Sequence, residues 1–197
     1  KYDVLVIEEA GQMSLANTAI ISRCARSIIL VGDQQQLSQP IKAIHEFGGG
    51  LSALEYWMRN EKVVPNDLGI FLEKSWRMEP SITSIVSDLF YEGKLKSQPE
   101  NKNNKIIWKN PVLSINGSYM PNQGFHFENV PHLNNSQTSI EEAAKIKEIV
   151  DELHCGKYEY FSKGKTLSGT IEKKDILVIA PYNAQVNLLK NYLNDKA

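Results

Sequence analysis

Residues 3–12 read Asp3-Val4-Leu5-Val6-Ile7-Glu8-Glu9-Ala10-Gly11-Gln12, an apolar run closed by two adjacent carboxylates. A run this short, tipped by acids, predicts a buried parallel strand over residues 3–7 that presents Glu8 and Glu9 at its C-terminal end. Open α/β sheets place their ligands at that edge. Ser14 then suits the N-cap of a helix over residues 15–25, where apolar side chains recur at positions 15, 16, 19, 20 and 21. Residues 27–31 form a second apolar run, ending in Gly32-Asp33. Strand, helix and strand make a βαβ unit, which crosses over right-handed into a parallel sheet. The fold class expected is therefore α/β.

Outward from that unit the pattern is coarser. Residues 34–50 are polar and end in three glycines, which predicts a loop with a hinge at Gly48-Gly49-Gly50; residues 51–60 predict a helix. Pro65-Asn66-Asp67 marks a turn and a domain boundary, followed by a short strand over 69–72. Pro80 at a first helical position suits a helix over 81–91, with Ile82, Ile85, Val86, Leu89 and Phe90 on one stripe and Gly93 as its stop. Residues 96–138 are rich in Asn, Pro and Gly, and only 112–115 and 125–130 look like strands. Ser139-Ile140-Glu141-Glu142 forms a capping box opening a helix to about His154. A polar loop or hairpin over 158–173, a third apolar strand over 175–180 and a helix over 184–193 complete the chain.

Composition excludes several classes. The chain has 22 basic against 23 acidic residues, so it lacks the whole-chain basic footprint of a nucleic-acid binder, though a local cationic groove is compatible. Its two cysteines, Cys24 and Cys155, have no Cys-x-x-Cys or histidine spacing, which argues against zinc and a disulfide framework and fits a reducing, cytoplasmic compartment. No segment approaches the roughly 18 apolar residues a membrane span needs. The chain opens on Lys1-Tyr2-Asp3 and runs straight into a strand, which predicts an internal piece of a longer protein.

Five positions have side chains suited to chemistry. Glu8 and Glu9 can hold a hard cation and polarise a water, or stand as two solvated acids at a strand end. Gln12 can hydrogen-bond a ligand or cap the following helix. In a parallel sheet, neighbouring strand tips lie about 5 Å apart, so Gln36 in Gly32-Asp33-Gln34-Gln35-Gln36-Leu37 can reach whatever Glu9 serves; Asp33 equally suits a polar turn that accepts backbone N–H bonds. Arg77, between Trp76 and Met78, suits a bidentate phosphate contact or surface pairing with Glu73 or Glu79. His45, His126, His132 and His154 show no ligand spacing. Trp76, Trp108, Tyr158 and Tyr160 suit partial core ahead of base stacking, and Lys163, Lys165, Lys173 and Lys174 suit a solvated face.

Taken in order, Glu-Glu-Ala-Gly-Gln, Gly-Asp-x-x-Gln-Leu, Trp-Arg-Met-x-Pro-x-Ile and Ala-Pro-Tyr-Asn-Ala-Gln resemble the ordered motifs of superfamily 1 helicases. The similarity is strongest to the 5′-to-3′ group of the nonsense-mediated-decay and Okazaki-fragment helicases, above all over residues 72–95. Residues 132–143 resemble helicases fused to a RecB-like nuclease. The resemblance implies a P-loop NTPase fold with RecA-like parallel sheets flanked by helices, divided into a first domain ending near residue 65 and an incomplete second domain over 66–197. It implies ATP and Mg²⁺ as cofactors and single-stranded nucleic acid as partner, DNA ahead of RNA, with no membrane and with a nuclease domain fused upstream. On this likeness Glu8 holds Mg²⁺ through water, Glu9 orients the attacking water, Gln36 senses the γ-phosphate and Arg77 is the arginine finger. Gln12 and Asp33 border the nucleotide, while Pro181, Tyr182 and Gln185 line the nucleic-acid path.

Two positions depart from the family pattern. Glu8 replaces the usual Asp, and Ala180 stands where relatives often carry Thr. No Gly-x-x-x-x-Gly-Lys-[Ser/Thr] occurs in the chain, so nothing here cradles the β- and γ-phosphates, and the segment alone is expected not to turn over ATP. Three other readings stay open: a nucleic-acid-binding module that does not hydrolyse ATP, a metal-dependent hydrolase using Glu8 and Glu9 directly, and an inert structural segment.

Overall fold

A computed structural model describes residues 1–36, 48–59 and 61–194; Leu37, His45, most of the expected 34–50 loop and Asn60 lie outside the described residues. The chain divides into two compact units, the first built from Lys1–Glu73 with Ile85–Leu95, the second from Lys74–Ser84 with Lys96–Ala197.

In the first unit, strand β1 (Tyr2–Ile7) pairs in parallel with β2 (Ala25–Leu30), Tyr2 facing Ala25 and Ile7 facing Leu30. Helix α1 (Leu15–Ser22) makes the crossover, and the Ser14 hydroxyl accepts from the Asn17 amide at its N-cap. The helix stops three residues short of the expected Ala25. Ala25 is already in the ladder, and the Cys24 carbonyl accepts from the Tyr2 amide, so the turn must close at once. Helix α2 (Ala53–Met58) starts at a full capping box, with the Ser52 amide donating to Glu55 Oε2 (2.7 Å) and the Glu55 amide to Ser52 Oγ (3.1 Å). Two backbone bonds, Leu15 to Leu51 and Ala53 to Met13, stitch the N-termini of the two helices together.

The expected burial of β1 does not hold. Val4 and Val6 are 50% and 59% exposed, and only Ile7 is buried. A parallel strand is enclosed when strands flank both edges and helices cover both faces, and β2 is the only strand paired with β1 among the described residues. The core collects instead at the C-terminal edge and beside α2, from Ile7, Ala10, Ala53, Met58 and Val63.

Helix α3 (Pro80–Phe90) begins on its proline as expected, and the division between the units falls within it. Its buried side is Thr83 and Ser87, whereas Ile85, Leu89 and Phe90 of the expected apolar stripe are exposed. Its C-terminus is tightly closed: the Tyr91 and Gly93 amides both donate to the Ser87 carbonyl, and Gly93 takes φ 72°, a left-handed value only glycine adopts without strain.

The second unit contains two small sheets. Strands β3 (Lys74–Ser75) and β4 (Lys96–Ser97) pair in parallel. The expected strand over 69–72 does not form; Ile70 and Leu72 are 87% and 76% exposed, without a strand partner among the described residues. Strand β5 (Lys105–Ile107), which the sequence does not signal, joins β6 (Lys157–Ser162) and β7 (Lys165–Thr170) in an antiparallel sheet. The hairpin within 158–173 is therefore real, its two-residue turn Lys163-Gly164 having φ of 49° and 78°. Residues 112–115 make only a bridge from Leu113 to Tyr119, and 125–130 join no ladder. The expected strand over 175–180 is likewise absent: a 3₁₀ turn, Lys173–Asp175, leads into unpaired chain with Leu177 and Ile179 about four-fifths exposed.

Helix α4 (Ile140–Leu153) is capped by Ser139, whose hydroxyl accepts from the Glu142 amide, but the capping box is only half formed. The Ser139 amide donates to Gln185 Oε1 in helix α5 (Asn183–Tyr192) instead (2.8 Å). No helix among the described residues is long and apolar enough to cross a membrane.

The Glu128 carboxylate gathers the 114–128 region. It accepts from the Ser114 hydroxyl, the Ile115 amide (2.5 Å) and His126 Nε2 (2.8 Å), and these bonds, with Lys145 nearby, hold it down to about 2 from the ordinary 4.5. A carboxyl depressed in the folded state stabilises it fully above its unfolded value and loses that contribution as pH falls through the folded one. The unfolding midpoint is thus expected to drop between about pH 4.5 and pH 2, and Glu128→Gln to flatten that drop; an unchanged acid profile in the variant would refute the cluster. A second expectation concerns Gly11, where a Cβ would lie 2.4 Å from the Asp33 carbonyl oxygen. Gly11→Ala should cost about 1–3 kcal/mol in urea unfolding through overpacking against backbone, and an unmoved midpoint would contradict that packing.

Candidate functional site

The parallel register carries past the strands. The Val31 amide donates to the Ile7 carbonyl and the Ala10 amide to the Val31 carbonyl (3.0 Å), so the two strand-end turns stay side by side. Ala10 is fully buried between them, and Gly11 and Gly32 allow the approach: a Cβ on Gly32 would meet the Ala10 nitrogen at 2.8 Å. Glu8 and Glu9 lie in the first turn, both exposed. Glu9 adopts φ 54°, the left-handed region that a non-glycine residue enters only at a cost of about 1–3 kcal/mol, and the Gln12 amide donates to its carbonyl. Gln12 is exposed, and the α1 cap belongs to Ser14.

The second turn is organised by Asp33. Its Oδ1 accepts from the Gln35 amide (3.0 Å), and its Oδ2 accepts from Gln36 Nε2 (3.3 Å) and from the Tyr91 hydroxyl. Burial, followed by the Asp33 hydrogen bond and charge, pushes the Tyr91 phenol well above its usual range, so it remains a donor. Gln34 reaches the other way, its Nε2 donating to the Lys62 carbonyl (2.8 Å). Glu8, Glu9, Gln12, Asp33 and Gln36 therefore share one edge of the first unit. Sequence reasoning does not find Tyr91 or Gln34: their partners lie far along the chain, and no local spacing signals such bonds.

The remaining candidates belong to the second unit. Arg77 is exposed and makes no hydrogen bond or ion pair with a described residue. It borders an open cleft of about 800 Å³ with Met78, Ile82, Ile106, Tyr158 and Leu177. The Glu79 carboxylate, a possible partner by sequence, caps α3 instead, accepting from the Ser81 amide (3.0 Å), the Ser81 hydroxyl and the Ile82 amide (3.3 Å). Pro80 at the first helical position is the signal that identifies residue 79 as the cap. The Ser97 hydroxyl and Asn101 Nδ2 both donate to the Met78 carbonyl, fixing the backbone beside Arg77. Pro181 is exposed and Tyr182 half exposed just before α5. Gln185 is buried, and its carboxamide spans Ser139, Oε1 accepting from the amide and Nε2 donating to the carbonyl (3.2 Å).

Among the described residues no three histidines, cysteines or acids gather into a cage. Glu8 and Glu9 are exposed carboxylates, hard oxygen donors side by side in sequence at the strand end.

The family model of the AAA domain matches residues 51–197. The chain is 28% identical over 192 residues to the mouse 3′-5′ exoribonuclease HELZ2, covering 92% of this chain and 6% of that protein. It is 25% identical over 201 residues to the Schizosaccharomyces pombe DNA polymerase alpha-associated DNA helicase A, covering 100% of this chain and 28% of the relative. To the Xenopus laevis DNA replication ATP-dependent helicase/nuclease DNA2 it is 24% identical over 217 residues, covering 98% and 19%. The chain spans less than a third of the length of each of these relatives. The chain belongs to the AAA-domain family, as a segment of the RecA-like P-loop fold of superfamily 1 helicases.

Proposed function

We propose that this chain is part of the motor core of an ATP-dependent nucleic-acid helicase, in which hydrolysis is coupled to movement along a single strand and to duplex unwinding. The observation that supports it most is the pairing of the two strand-end turns, Glu8-Glu9 beside Asp33-Gln36, at the ligand-binding edge of a parallel sheet. Bound Mg²⁺ neutralises charge on the phosphate oxygens during phosphoryl transfer. In this reading Glu8 holds that ion through water, its extra methylene relative to Asp absorbed by the hydration shell. Glu9 accepts a hydrogen bond from the attacking water and aims it. Gln36 donates its amide to the γ-phosphate, with Asp33 and Gln12 bordering the nucleotide. Arg77, without a protein partner among the described residues, supplies a bidentate guanidinium to the charge that develops in transfer.

The functional division we assign runs at about residue 65, the earlier part completing a first RecA-like domain and the later part opening a second. Pro181 and Tyr182 line the path of a single strand, DNA ahead of RNA, with Gln185 behind them. A RecB-like nuclease fused upstream and an intracellular location belong to the same proposal.

In the full-length protein, Arg77→Ala is expected to lower ATP turnover by roughly 10³–10⁵ while nucleotide affinity stays within about tenfold. Steady-state ATPase and fluorescent-nucleotide titration measure the two, and normal turnover would sink the assignment. Glu9→Gln should bind ATP and retain it unhydrolysed; wild-type turnover in that variant would remove Glu9 from the chemistry.

A further inference from the structure

Asp33 Oδ2 is shared by two donors, the Gln36 carboxamide and the Tyr91 hydroxyl. We propose that Tyr91 is a positioning residue for Gln36: its hydroxyl fixes the Asp33 carboxylate, which in turn holds the exposed Gln36 amide in one orientation. The proposal rests on the reading of Gln36 as a group that contacts the nucleotide.

Tyr91 is built to be the rigid member of this set. Its backbone amide is bonded to the Ser87 carbonyl at the end of α3, and Glu92 and Gly93 after it both take left-handed φ values, closing the helix abruptly. The Leu95 amide returns to the Ser87 hydroxyl (2.9 Å), which secures the closure from the far side. The Tyr91 ring packs on Phe71, centroids 5.9 Å apart. A second strap runs parallel to the first. Lys62 Nζ donates to the Leu89 carbonyl (3.1 Å), and the Lys62 carbonyl accepts from Gln34 (2.8 Å). The strand-end turn is therefore tied to the end of α3 at two points, through Gln34 and through Asp33, and only the second reaches Gln36. Burial, with the Asp33 carboxylate beside it, pushes the phenol upward, so at neutral pH it is a donor to Asp33.

An exposed glutamine samples several rotamers, and a catalytic amide contributes in proportion to the time it spends aimed correctly. Losing the hydroxyl removes the anchor of Asp33 on α3 and leaves its carboxylate held by the Gln35 amide of its own turn, so Asp33 and Gln36 can turn together. In the full-length protein Tyr91→Phe, which keeps the ring, is expected to lower kcat for ATP about fivefold, the weight of roughly one net hydrogen bond, with KM within about twofold. In a Gln36→Ala background the same substitution should change kcat by less than about twofold, because the group being positioned is gone. Equal losses in both backgrounds, or an unchanged kcat in the first, overturn the proposal. Should Gln36→Ala itself turn over ATP at the wild-type rate, the nucleotide role of Gln36 fails. Positioning is then judged by hydrogen–deuterium exchange: Tyr91→Phe should speed exchange of the Gln35 amide about fivefold, and unaltered exchange there overturns the strap.

Discussion

One backbone contact organises the C-terminal strand edge of the first unit: the Ala10 amide bonded to the Val31 carbonyl, one step beyond the end of the parallel ladder. It carries the β1–β2 register into the two turns, so that their side chains inherit a fixed spacing. Everything chemical there follows from this contact and from the two glycines that permit it. A Cβ on Gly11 would meet the Asp33 carbonyl oxygen at 2.4 Å and one on Gly32 the Ala10 nitrogen at 2.8 Å, so glycine at both positions lets the two turns lie this close. The acids are thus displayed at the strand tip above closely packed backbone.

The close backbone packing is supplemented by polar bonds rather than by apolar burial. Asp33, Gln34, Lys62 and Tyr91 link the second turn to the end of α3. In the second unit the same economy recurs, with Glu79, Ser97, Thr83 and Asn101 holding the segment around Arg77 and Met78. Polar networks of this kind specify geometry more sharply than a hydrophobic face does, because hydrogen bonds are directional where apolar contact is not. Arg77 stands beside such a network without belonging to it, as the arginine role proposed for it would require.

Many apolar side chains expected in the core are exposed, among them Val4, Val6, Leu177 and Ile179. Each lies in a run that reads as a buried parallel strand. Burial of that kind depends on strands at both edges; among the described residues β1 has β2 on one side alone and residues 175–180 pair with no strand, so local pattern and observed environment part company there. The hairpin of β6 and β7 behaves oppositely: its register needs only its own two-residue turn, and it forms completely.

What the sequence determined by itself were the features governed by neighbours within a turn or two. The βαβ unit, the Ser14 cap, Pro80 opening α3 with Gly93 closing it, and the order of the four motifs are all legible in the residues, because capping, periodicity and turn chemistry act over three or four positions. The family follows from the same motifs. Only the tertiary structure decided where α1 must stop, that β5 joins the hairpin, and that Gln185 completes the Ser139 cap. It alone tied Tyr91 to Asp33 across the chain. The physical reason is common to all of these: a hydrogen bond between distant residues leaves no periodicity in the sequence, and its partner is chosen by packing rather than by spacing.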